Sequence, residues 1–111
     1  MTSISTGPAK RTSSTGPGKS RRAVTLRTIR KFVERGEKFA CLTCYDATTA
    51  RWLQRAGVPI LLVGDTAAEV ILGHSSTIHA PLDFLIALTA AVKRGAPDTM
   101  VMADMPFMSY Q

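Results

Sequence analysis

From Ala23 onward the apolar positions of this 111-residue chain alternate between two periods, and each switch marks a new element. In "VTLRTIRKFVERG" the residues Leu26, Ile29, Phe32 and Val33 mark one face of a helix, which Gly36 can end in the left-handed conformation. "KFACLTCYD" then becomes the compact apolar run of a buried strand and ends on Asp46. "ATTARWLQRAG" predicts a short helix with Trp52 and Leu53 inward and Gly57 as its cap. "PILLVGD" is an unbroken apolar run, the pattern of a strand covered on both faces. "TAAEVILGHSSTIHA" predicts a short helix followed by a polar loop. "PLDFLIALTAAVKRG" predicts a longer helix with Pro81 near its first turn and Gly95 at its end. "DTMVMADMPF" supplies a third strand, on which Met100 and Met102 alternate as core residues rather than as a cofactor stripe.

Strand, helix, strand, helix, strand is the order of parallel βαβ units, so the fold class is α/β. Three strands neither close a barrel nor cover both faces of a sheet, and they leave two apolar edges open. A pattern this regular that stops at Gln111 predicts the front portion of a larger α/β enzyme.

Charge divides the chain in two. The net charge is +6, from 14 Lys+Arg and 8 Asp+Glu. Residues 1–22 hold five of the cations and no acid, so the basic pI belongs to that stretch. Its Ser, Thr, Gly and Pro content cannot bury enough surface to offset the entropy of ordering it, which predicts a disordered basic tail over 1–22 and a folded domain over 23–111. The tail is also similar to an organellar transit peptide. A nucleic-acid arm is disfavoured because no aromatic residue is present there to stack on a base. "GPGKS" imitates a phosphate-binding loop but lacks the glycine five residues earlier, where Ser13 stands.

No apolar run approaches the ~20 residues of a membrane span, so the expected setting is cytoplasmic, with organellar targeting by the tail as the alternative. "CLTC" lies on a strand rather than at a helix start, so Cys41 and Cys44 are expected on opposite faces as two buried thiols, not as a redox or zinc pair.

All three strands end in aspartate: "CYD", "VGD" and "MAD". Parallel topology brings Asp46, Asp65 and Asp104 to one rim, the carboxyl edge where such folds carry their chemistry. Carboxylates on neighbouring strands stand roughly 5 Å apart at the backbone. Such a pair repels itself without a cation, and hard oxygen ligands suit Mg²⁺. Asp46, followed by "ATTA", reads instead as a helix cap. Asp104 precedes Met-Pro-Phe and has no helix to cap. Tyr45 reads as packing at a strand end as readily as a site residue. His74, next to Gly73, is a candidate loop contact at the mouth, whereas His79 matches nothing, and metal ligation by either is disfavoured.

These motifs carry a family resemblance. "LTCYDATTARWLQRAGVPILLVGDTAAEVILGHSST" with "AAVKRGAPDTMVMADMPFMSY" resembles ketopantoate hydroxymethyltransferase from about Val24 to Tyr110. The resemblance implies the first three βα units of a (βα)₈ TIM barrel of the phosphoenolpyruvate/pyruvate type. It implies hydroxymethyl transfer from 5,10-methylenetetrahydrofolate to 3-methyl-2-oxobutanoate, giving 2-dehydropantoate for pantothenate synthesis. Asp65 and Asp104 match the family's metal aspartates, with Mg²⁺ as the metal. Asp65, Thr66 and Asp104 match its substrate contacts, and the family is homo-oligomeric at full length.

Two positions depart from the family pattern: Thr66 stands where serine is usual and Ser75 where aspartate is usual. The family's substrate lysine, third carboxylate and general base have no match up to Gln111, so no catalytic base is identified and this chain alone is expected to be inactive. Isocitrate lyase and phosphonomutase relatives are the alternative enzyme class, and a non-catalytic remnant or interaction module is the alternative outside enzymes.

Overall fold

The structure, a computed structural model, describes residues 22–111. The expectation of a disordered tail therefore falls almost wholly outside the described residues. Helix α1 (Leu26–Glu34) leads into strand β1 (Cys41–Thr43), followed by α2 (Ala47–Arg55), β2 (Ile60–Val63) and α3 (Ala67–Val70). A 3₁₀ turn (Thr77–His79), α4 (Leu82–Gly95) and β3 (Met100–Ala103) complete the order. The strands form one parallel sheet in the order β1-β2-β3, with Leu61 across from Leu42 and Val101.

The middle strand carries the core. Leu61 and Val63 lie two apart, share a face and are fully buried with Ala50, Leu85 and Val92. Leu62, on the other face, is only half-buried. The flanking strands are less covered than their apolar sequences predict. All of β1 is exposed, and so is Met102 on β3, because each has a neighbour on one side only. The two thiols separate accordingly: Cys44 is buried and Cys41 exposed, which corrects the expectation of two buried thiols. Burial pushes the Cys44 thiol pKa up.

Helix α2 meets its sequence expectation in part: Leu53 packs against the core, but Trp52 does not. Ala50 is its buried residue, whereas Trp52 is 62% exposed, with the Arg55 guanidinium 5.0 Å from its ring centre. Two residues along a helix rotate the side chain by roughly 200°, so Ala50 and Trp52 cannot share a face. Small alanines, not the large aromatic, face α4, and this lets the two helices approach closely. Helix α1 buries no residue; Ile29 and Phe32 are half-covered while Leu26 and Val33 are exposed.

The predicted helix ends are observed at Gly36 (φ 64°) and Gly57 (φ 85°), both in the left-handed region. Asp46 caps α2 as the sequence predicts, its Oδ1 accepting from the Thr49 N–H at 2.7 Å. That hydrogen bond holds the Asp46 carboxyl below its usual pKa. Asp46→Ala is expected to lower stability by about 1 kcal/mol. Because the folded pKa is depressed, the capping contribution is present above the unfolded value near pH ~4 and lost as pH falls through the lowered folded value. Thermal melts of both proteins at neutral pH and near pH ~2 check this, with the difference narrowing in acid.

Candidate active site

The parallel register runs one residue past each strand and sets the rim. The Cys44 N–H donates to the Leu62 carbonyl at 2.9 Å, and the Asp104 N–H to the Val63 carbonyl at 3.0 Å. Asp104 therefore stands beside the Gly64–Asp65 segment. After Gly64 the chain turns into α3: the Ala67 N–H donates to the Gly64 carbonyl and the Ala68 N–H to the Asp65 carbonyl. The buried side chains of Ala67 and Ala68 anchor that turn from below.

Side chains then close the arrangement. Asp104 Oδ2 accepts the Asp65 backbone N–H at 3.1 Å, so one strand's carboxylate fixes the turn that follows its neighbour. Asp65 is half-buried, and its own carboxylate makes no hydrogen bond or ion pair among the described residues. Neither Asp65 nor Asp104 makes an ion pair among the described residues. Thr66 Oγ1 and the Tyr45 hydroxyl share a 2.6 Å hydrogen bond across 21 residues of sequence.

Gly64 shows how these groups converge. A methyl added there would stand 3.1 Å from Thr66 Oγ1, 3.5 Å from Asp104 Oδ2 and 3.7 Å from the Tyr45 hydroxyl. Three oxygens from three strand ends thus surround one buried glycine. Gly64→Ala is expected to part the Tyr45–Thr66 pair while leaving the fold, at a cost of about 1–2 kcal/mol. Its signature is a displaced tyrosine resonance in an otherwise native spectrum. An unchanged Tyr45 environment would mean the glycine does not hold these groups together.

The structure brings together Asp65, Thr66 and Asp104 as the sequence predicts. Asp46 stays outside, occupied with its helix cap. Tyr45 serves both readings that the sequence leaves open: its half-buried side chain packs against the core, while its hydroxyl reaches Thr66 at the rim. His74 is exposed in the loop after α3, and its ring lies 5.6 Å from that of His79. Among the described residues no three His, Cys, Asp or Glu side chains gather as a metal-ligand cluster, so the histidines do not join the carboxylates. Asp104 also borders an apolar groove of about 370 Å³ between α4 and the end of β3, lined by Leu85, Ile86, Ala103 and Met105. No helix among the described residues is long and apolar enough to cross a membrane.

The family model for ketopantoate hydroxymethyltransferase matches residues 23–111. Curated relatives agree with it. A 3-methyl-2-oxobutanoate hydroxymethyltransferase of Thermobifida fusca is 51% identical over 94 residues, covering 85% of this chain and 34% of the relative. One from Frankia casuarinae is 48% identical over 97 residues, covering 87% and 33%. One from Mycobacterium marinum is 43% identical over 104 residues, covering 94% and 35%. The chain spans about a third of the length of the curated relatives it matches.

Proposed function

This chain belongs to the ketopantoate hydroxymethyltransferase family, and we propose that it contributes the metal- and keto-acid-binding rim of that family's reaction. The substrates are 3-methyl-2-oxobutanoate and 5,10-methylenetetrahydrofolate, and the product is 2-dehydropantoate. We place the three βα units within a (βα)₈ barrel of the phosphoenolpyruvate/pyruvate type, in a cytoplasmic homo-oligomer. The sequential parallel order β1-β2-β3 with an intervening helix at each step supports the barrel.

One observation carries the site assignment. Asp65 is a half-buried carboxylate without a partner among the described residues, and it lies against Asp104, whose Oδ2 is held by the Asp65 N–H. An all-oxygen set of two carboxylates fits Mg²⁺, which is commonly held by one or two carboxylates with the remaining positions left to water and substrate. Asp65 and Asp104 would hold the ion. When bound, Mg²⁺ draws electron density from the keto acid and lowers the cost of removing its C3 proton.

The chain's own residues position the substrate. Thr66 Oγ1 is oriented by the Tyr45 hydroxyl and offers a hydrogen bond to the keto acid at the rim. The Asp104–Asp65 backbone bond keeps the turn that carries both Asp65 and Thr66 in place before substrate arrives. Proton removal is assigned to no residue of this chain.

The test is a chimera. Residues 23–111 replace the matching segment of the Thermobifida fusca relative, and formation of 2-dehydropantoate is assayed. Activity within about tenfold of the parent is expected, since no rim group would be lost. A folded chimera with its activity abolished would overturn the assignment of this rim to that reaction.

A further inference from the structure

The chain has 2 histidines, and the fold brings them together. His74 and His79 are five apart, a spacing that shares a face in neither a helix nor a strand. Their rings nevertheless lie 5.6 Å apart between centres, tilted by 43°.

The backbone on both sides holds them there. Gly73 takes φ 75°, and the His74 N–H donates to the Ala68 carbonyl at 2.9 Å, which ties the first histidine to the buried end of α3. The second sits in the 3₁₀ turn, where Ser76 Oγ accepts the Ile78 N–H at 3.3 Å and the Ala80 N–H donates to the Thr77 carbonyl at 3.0 Å. Both rings are exposed, so an ion can reach them without opening the fold.

The separation suits one shared ion. A Zn–N bond of about 2.0–2.1 Å places an imidazole centre roughly 3.2 Å from the metal, and a tetrahedral angle puts two such centres roughly 5.2 Å apart. The observed centre separation of 5.6 Å is close to that value. Imidazole nitrogens favour Zn²⁺, Cu²⁺ and Ni²⁺, whereas the carboxylates of the rim favour Mg²⁺. We propose that His74 and His79 form a two-histidine site for a transition-metal dication of the Zn²⁺ class, separate from the Asp65–Asp104 pair and independent of the proposed reaction.

Such an ion would staple the loop. It would join the segment leaving α3 to the 3₁₀ turn that enters α4, reinforcing the contact those two elements already make. Helix α3 starts directly after Thr66, and α4 starts at the same end of the sheet to return toward the beginning of β3. The fastened loop therefore lies beside the rim. With no third His, Cys, Asp or Glu grouped with the pair among the described residues, water would complete the coordination and leave exchangeable positions.

The whole chain in a Cys41→Ser background, which removes the exposed thiol as a competing ligand, is titrated with Zn²⁺ and followed by calorimetry and histidine NMR. One ion per chain is expected, with both imidazoles shifting together and no response of either ring to Mg²⁺. His74→Gln and His79→Gln should each weaken binding on the order of tenfold or more, since each removes half of the chelate. Asp65→Asn with Asp104→Asn should leave Zn²⁺ binding intact. A loss smaller than tenfold in either histidine variant would overturn the site, as would absence of saturable binding or dependence on the carboxylates. Both histidines are exposed, so circular dichroism of the glutamine variants should match the parent.

Discussion

Gly95→Ala is expected to cost about 3 kcal/mol of folding stability, enough to lower the melting temperature by roughly 12–24 °C. Gly95 stands at the end of α4 as the sequence predicts, the buried last residue of that helix and without a positive φ. Its role is steric. A methyl group there would lie 2.8 Å from both the carbonyl carbon and Cα of Ala47, with the Ala47 carbonyl oxygen closer still.

Ala47 cannot easily yield. It is the first residue of α2, preceded by the Asp46 cap and followed by the buried Ala50, so relief means shifting α2 against α4 and disturbing the core beneath them. Gly36→Ala is the control: nothing lies within 4 Å of its added methyl, and only the φ of 64° opposes it. That costs about 1–2 kcal/mol. Melting curves of the two variants side by side decide the matter, and a Gly95 variant no worse than the Gly36 variant would show that the helices do not meet there as described.

The contrast between these glycines also explains what was legible in the sequence. Local demands were legible. Gly36 and Gly57 end helices by backbone conformation, Asp46 caps by hydrogen bond, and "PILLVGD" is apolar throughout because β2 is the central strand. The rim aspartates were legible for a related reason: parallel strands deliver whatever follows them to one edge, so topology alone placed Asp65 beside Asp104.

Demands set by a distant partner were not legible. Gly95 is small because Ala47, 48 residues away in sequence, needs its space. Weighting α2 by hydrophobicity turned Trp52 inward, when close approach to α4 selects the alanine face instead. Leu26, Val33 and Met102 look like core by period, yet period only says which residues share a face. Whether another element covers that face is a separate fact. Tyr45 belongs with them: the Thr66 hydroxyl that its own hydroxyl meets lies 21 residues away in sequence.

Asp104→Asn is expected to lower kcat/KM of the chimera on the order of a thousandfold, about 4 kcal/mol of transition-state stabilisation. The asparagine preserves what the structure shows Asp104 doing mechanically, because its amide oxygen can still accept the Asp65 N–H that Oδ2 accepts at 3.1 Å. It removes only the charge. Asp104→Ala removes both, so the turn carrying Asp65 and Thr66 loses its tie to β3 as well, and thermal stability should fall by a further ~1 kcal/mol. The two substitutions therefore separate two roles that the geometry superimposes on one side chain. If charge at the rim holds the metal, both variants lose activity alike and only the alanine variant melts earlier. The asparagine variant should also require more Mg²⁺ to reach its residual rate. If Asp104 serves only to fix the turn, the asparagine variant keeps its activity and its ordinary Mg²⁺ requirement. The Asp65 carboxylate argues for the first result: it has no partner among the described residues and stands on the turn that Asp104 ties to β3, so two oxygen-donor groups are left at one place on the rim for a cation such as Mg²⁺.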